Sequence, residues 1–71
     1  MQDTPYYDYP RTAFPTGQRV ELHPATDEWM RGARYGVVVS AGYLRVAVRL
    51  DVTGRTVNLR RAYVRPVDTT S

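Results

Sequence analysis

From Gln18 to His23 the chain alternates, with Val20 and Leu22 pointing one way and Arg19, Glu21 and His23 the other. That is the period-2 pattern of a half-buried strand. Pro24 ends it, and a loop is expected over Ala25–Ala33, polar at first and then carrying Trp29 and Met30. Gly32 and Gly36 punctuate the approach to a second strand, Tyr35–Ser40. Its Val37-Val38-Val39 run places side chains on both faces, as in a central, strongly curved strand. Ala41-Gly42 is expected to turn tightly into the third strand. There the alternation is clearest: Leu44, Val46, Val48 and Leu50 face in, while Tyr43, Arg45, Ala47 and Arg49 face out. Asp51-Val52-Thr53-Gly54 reads as a second turn, and Thr56–Leu59 as a fourth strand with Val57 and Leu59 inward. Arg60-Arg61-Ala62 is long enough for a single helical turn only, and Tyr63–Val67 closes the pattern as a short fifth strand. The expected class is all-β, with no helix and no internal repeat.

Residues 1–16 differ in character. Pro5, Pro10 and Pro15 recur every five residues, with Tyr6, Tyr7, Tyr9 and Phe14 between them. Proline at that density excludes a helix and favours extended conformation. Disordered leaders are poor in aromatics, so this arm is expected to dock on something. It either folds back over the open edge of its own sheet or reaches a neighbouring copy and joins subunits by arm exchange.

Seventy-one residues hold one small domain, whose core is modest. The chain has no cysteine, and its only histidine is His23, so neither a disulfide nor a structural zinc site is expected to support the fold. All ten basic residues are arginine. A GC-rich coding sequence accounts for that, but arginine also forks onto phosphate and stacks on rings. The charge is uneven: residues 1–16 carry −1, whereas Gly17–Val67 sets nine arginines against four acids, an excess of +5. A basic folded part points to nucleic acid or an acidic protein as partner. With no apolar span and no signal-like start, the protein is expected in the cytoplasm, away from membranes.

Five short strands, a long first loop, two tight hairpins and a helical turn before the last strand resemble an SH3-like β-barrel over Gly17–Val67. The expected organisation is an extended arm at 1–16, a barrel at 17–68 and a tail at 69–71. Gly17-Gln18-Arg19-Val20 and the Gly-x-x-x-Gly-x-Val segment from Gly32 to Val38 resemble the KOW and Tudor branch of that fold. The stretch Trp29–Gly36 also resembles small uncharacterised reading frames of bacteriophages and their hosts. The resemblance implies a binding module, often one that touches RNA or nucleic-acid machinery, with an accessory or regulatory role.

Little in the chain suggests catalysis. A hydrolytic constellation would have to run through His23 at a strand end, and Asp27-Glu28 offers at most a weak cation site. No glycine-rich phosphate loop is present, and no cofactor, metal or small-molecule substrate is expected. The plasmid-borne type II dihydrofolate reductases are also SH3-like barrels, with four copies around one pore. Thr56-Val57-Asn58-Leu59-Arg60 resembles their pore-lining Val-Gln-Ile-Tyr, with asparagine replacing the glutamine and arginine replacing the tyrosine. Those departures weigh against the activity, which would need Val57, Asn58 and Leu59 around a pore. For nucleic acid, the candidates are Arg45 and Arg49 beside Tyr43, Arg60 and Arg61 before the last strand, and Arg31 and Arg34 in the first loop. Arginine neutralises phosphate while an aromatic stacks an unpaired base. For protein, the candidates are the arm aromatics Tyr6, Tyr7, Tyr9 and Phe14, and Trp29, Tyr35 and Tyr63 along the groove of an SH3-like barrel. Alternating arginines can also be no more than the solvated face of a strand, and Trp29 no more than a cap on one end of the core.

Overall fold

The computed structural model describes residues 6–67; the start of the arm at 1–5, Asp68 at the end of the expected barrel and the tail at 69–71 lie outside the described residues. Five strands form one antiparallel sheet: β1 (Arg19–Leu22), β2 (Tyr35–Ala41), β3 (Arg45–Leu50), β4 (Thr56–Arg60) and β5 (Val64–Pro66), in the spatial order β4-β3-β2-β1-β5. The all-β reading holds. The alternation read along the chain becomes the inner face: Val20 and Leu22 from β1, Val38 from β2, Val46, Val48 and Leu50 from β3, Leu59 from β4 and Val64 from β5 are all buried. A bulge between Val38 and Ser40 breaks the β2–β3 register. Val39, 44% exposed, points away from Val38 by simple alternation, and beyond the bulge Ala41 rather than Ser40 packs on the core.

Gly36 is buried within β2, and a Cβ placed on it would lie 2.5 Å from Val48 Cγ1 and 2.6 Å from the Arg49 carbonyl oxygen. Only glycine lets β2 and β3 approach this closely. Gly54, at φ +74°, supplies the left-handed residue that closes the β3–β4 turn, where its N–H donates to the Leu50 carbonyl at 2.9 Å.

Several expectations need correcting. The sheet is not closed into a barrel, because β4 and β5 stand at its opposite edges. A 3-10 turn, Arg61–Tyr63, carries the chain between them, and the arm lies against that turn, with the Tyr7 N–H donating to the Ala62 carbonyl at 2.9 Å. Tyr63 therefore belongs to the turn, and β5 begins at Val64. The loop after β1 contains one turn of helix, α1 (Asp27–Met30), where none was expected. The Thr26 side chain caps it by accepting the Trp29 N–H at 3.2 Å, and the same hydroxyl donates to the His23 carbonyl at 2.8 Å. Leu44, expected inside, is 69% exposed. The β2–β3 turn lies further along the chain than Ala41-Gly42: the Gly42 N–H donates to the Arg45 carbonyl at 2.7 Å, so Tyr43 and Leu44 form its tip. Phe14, assigned to the arm, is 2% exposed and belongs to the core. A second 3-10 turn, Arg11–Ala13, redirects the arm and drops Phe14 among the strand residues.

Candidate nucleic-acid interface

The described part of the arm is held by aromatic contacts at the end of β1. His23 is buried there, with its Nδ1 accepting the Ala25 N–H at 2.9 Å. The Tyr7 ring sits 5.0 Å from the His23 ring, the Tyr6 ring 5.7 Å from it, and Tyr6 meets Tyr63 edge-on at 5.3 Å. Arg65 lies over Tyr7 at 5.5 Å while its Nε donates to Glu21 at 2.8 Å. Burial pushes the Tyr7 hydroxyl above its usual pKa, and a side-chain hydrogen bond with Tyr63 pushes Tyr6 the same way. Tyr6 and Tyr7 thus anchor the arm. Tyr9, 38% exposed, lies beyond the anchor.

What the anchored arm faces is basic. The β3–β4 register sets Arg45 directly opposite Arg60, and Arg61 follows at once in the 3-10 turn. The Arg61 N–H donates to the Leu44 carbonyl at 3.0 Å, tying that turn to the β2–β3 tip. Between these arginines and the arm lies a cleft of about 460 Å³, walled on the arm side by Tyr7, Asp8 and Tyr9. Like charges directly opposed across two strands are destabilising, and here no carboxylate offsets them in the sheet. The ion pairs among the described residues, Arg19 with Asp51 and Arg65 with Glu21, lie elsewhere. Asp8 brings one negative charge to the cleft against three positive ones.

On its other side the Arg45–Arg60 pair borders a second cleft of about 290 Å³, against the loop that leads into α1. Asn58 and Leu59 line it from β4, Tyr63 from the 3-10 turn, and Asp27 and Glu28 from α1.

The remaining candidates fall apart in space. Arg49 is exposed on β3, opposite Val37 and Thr56, and does not line the arm cleft. Arg34 lies over Trp29 at 4.5 Å, and Trp29 is half-buried against the core. Arg31 is exposed near Arg55, in a hollow over Leu50 and Val57. Tyr43, chosen as the stacking neighbour of Arg45, is 78% exposed on the turn and outside both clefts. Tyr35 is exposed on β2 with Arg19 above its ring, and Phe14 has no surface to offer. Val57 and Leu59 pack on the core, so of the three residues that would surround a pore only Asn58 is exposed. Sequence reasoning missed Asp8 and Leu44 as cleft residues, and it placed Tyr7 and Tyr9 at a protein contact. Nothing in the local pattern says that the arm docks on the Arg61–Tyr63 turn and faces the ends of β3 and β4 across a cleft.

Among the described residues no group of three or more histidine, aspartate or glutamate side chains could hold a metal ion, and no helix is long and apolar enough to cross a membrane. No family model, no curated protein and no solved structure matches the chain.

Proposed function

We propose that this chain is a non-catalytic, SH3-like binding module that takes single-stranded nucleic acid in the cleft between its arm and the β3–β4 edge. The observation that carries the reading is the gathering of Arg45, Arg60 and Arg61, none of them in an ion pair with a described residue, around a cleft whose opposite wall carries Tyr9. A strand that places phosphate between Arg45 and Arg60 relieves their repulsion, and an unpaired base finds the Tyr9 ring beside it. Duplex offers no unstacked base to that ring. The strand order, with a 3-10 turn between β4 and β5, supports the SH3-like assignment and an accessory role of the KOW and Tudor kind. The docked arm favours this reading over assembly by arm exchange, because Tyr6, Tyr7 and Phe14 already have contacts within their own chain.

Fluorescence anisotropy with labelled single-stranded and duplex oligonucleotides at two salt concentrations tests it. Three phosphate contacts predict that a tenfold rise in salt weakens single-strand binding about 100-fold, at roughly 0.7 of a logarithm per contact. Arg60→Ala is expected to lower that salt slope by about 0.7, whereas Arg31→Ala, far from the cleft, leaves it unchanged. Absence of single-strand binding at low salt would overturn the proposal.

A further inference from the structure

The Arg45–Arg60 pair is a ridge between two clefts of opposite character. Toward the arm the walls are basic and aromatic. Toward α1 the ridge faces Asp27 and Glu28, with the half-buried Tyr63 ring and Leu59 between them and the Asn58 side chain on the β4 wall. A uniformly anionic ligand is repelled from the second cleft. A nucleotide is not, because its negative charge is confined to the phosphate while its base presents neutral donors and acceptors. Arg45 and Arg60 are the two residues that line both clefts, so a phosphate held by them would link nucleotides lying on either side.

Resting on the nucleic-acid reading above, we infer that a phosphate seats on the Arg45–Arg60 ridge and that the adjoining base enters the second cleft, where Asp27 and Glu28 select guanine. A carboxylate only accepts hydrogen bonds, through two oxygens. Guanine alone sets two donors side by side on its Watson–Crick edge, the N1–H and the 2-amino group. Thymine and uracil flank one N–H with two carbonyl oxygens, which a carboxylate repels. Adenine and cytosine each set one amino group beside an acceptor nitrogen. The half-buried Tyr63 ring supplies the surface against which the base lies, and the Asn58 amide can answer the guanine carbonyl.

The test uses the full chain and oligothymidines carrying one central guanine, inosine, adenine, cytosine or thymine. Loss of hydrogen bonding to a charged acceptor sets the scale: guanine is expected to bind about tenfold more tightly than thymine, with inosine, which lacks the 2-amino group, in between. Asp27→Asn combined with Glu28→Gln keeps the side-chain sizes and is expected to abolish the preference while salt-dependent binding remains. Inosine alters the ligand rather than the protein, so its result stands even where the double variant folds poorly. Salt-dependent binding with equal affinity for every base would overturn base selection and leave the nucleic-acid reading intact. A double variant that binds every oligonucleotide more tightly but keeps the guanine preference would also overturn it, showing the acids to be repulsive only. Binding of an arginine-containing peptide in the second cleft, with no oligonucleotide bound anywhere, would overturn both readings in favour of a protein partner.

Discussion

Phe14 and Gly36 show how much of this small core depends on single positions. The Phe14 ring is one of the largest fully buried side chains and reaches the core from outside the sheet, so no strand neighbour can fill its place. Phe14→Ala is expected to cost about 3–5 kcal/mol, a large part of the stability of so short a domain. Urea denaturation measures it, with Phe14→Leu as the milder variant that keeps a readable transition. At Gly36 the problem is the reverse, since the added methyl would meet a backbone carbonyl that cannot rotate away. Gly36→Ala should lower the urea midpoint by the equivalent of about 1–3 kcal/mol, with an unchanged slope. The two residues were not equally legible. Gly36 stands out in a valine-rich strand as a place where something comes close. Phe14 is hidden by the prolines around it, which announce an extended arm and give no sign that the arm turns inward at Arg11–Ala13.

At the scale of elements, the strands were readable wherever period-2 alternation ran for four residues or more, as in Arg19–Leu22 and Arg45–Leu50. Alternation failed at Leu44 because it says nothing about where a turn ends. The one-turn α1 did carry a sign, Thr26 followed by Asp27 and Glu28, but four residues are too few to show a helical period. The candidate site divides similarly. Arg45, Arg60 and Arg61 were visible as charges, but their convergence follows from the β3–β4 register, which alternation alone does not fix. That register yields a prediction in two opposite directions. Arg60→Thr removes one of two opposed cations and places a strand-favouring residue on β4. It should stabilise the fold by about 0.2–1 kcal/mol at low salt, a gain that fades as salt screens the repulsion. The same change should weaken oligonucleotide binding. A fall in melting temperature at low salt would mean that the two arginines are not in conflict.

For the whole molecule, the docked arm is half of the arm-side cleft, so whatever loosens the arm dissolves that wall. Tyr6 and Tyr7 are held above their ordinary pKa of 10.0 by the Tyr63 hydrogen bond and by burial. A group that binds its proton more tightly when docked adds stability that is complete below the undocked pKa. That stability is lost as pH rises through the docked one. The arm should therefore stay in place up to about pH 10 and release above it. Ultraviolet titration of the tyrosines, run beside limited proteolysis at the arm, measures this. Tyr7→Phe keeps the ring, removes the titrating hydroxyl and should move the release to higher pH; an unchanged release pH would place the transition elsewhere. The arm and β1 also share a dependence of another kind. Tyr7 bonds to Ala62, Val20 and Glu21 pair with Pro66 and Arg65, and the Gln18 amide donates to the Val67 carbonyl at 3.0 Å. On a growing polypeptide, residues 6–22 leave the ribosome before any of these partners has been made. By contrast β2, β3 and β4 pair with near neighbours in the chain, so their hairpins are local. The arm cleft has no such local origin: it can exist only once residues 62–67 have joined the sheet and the turn.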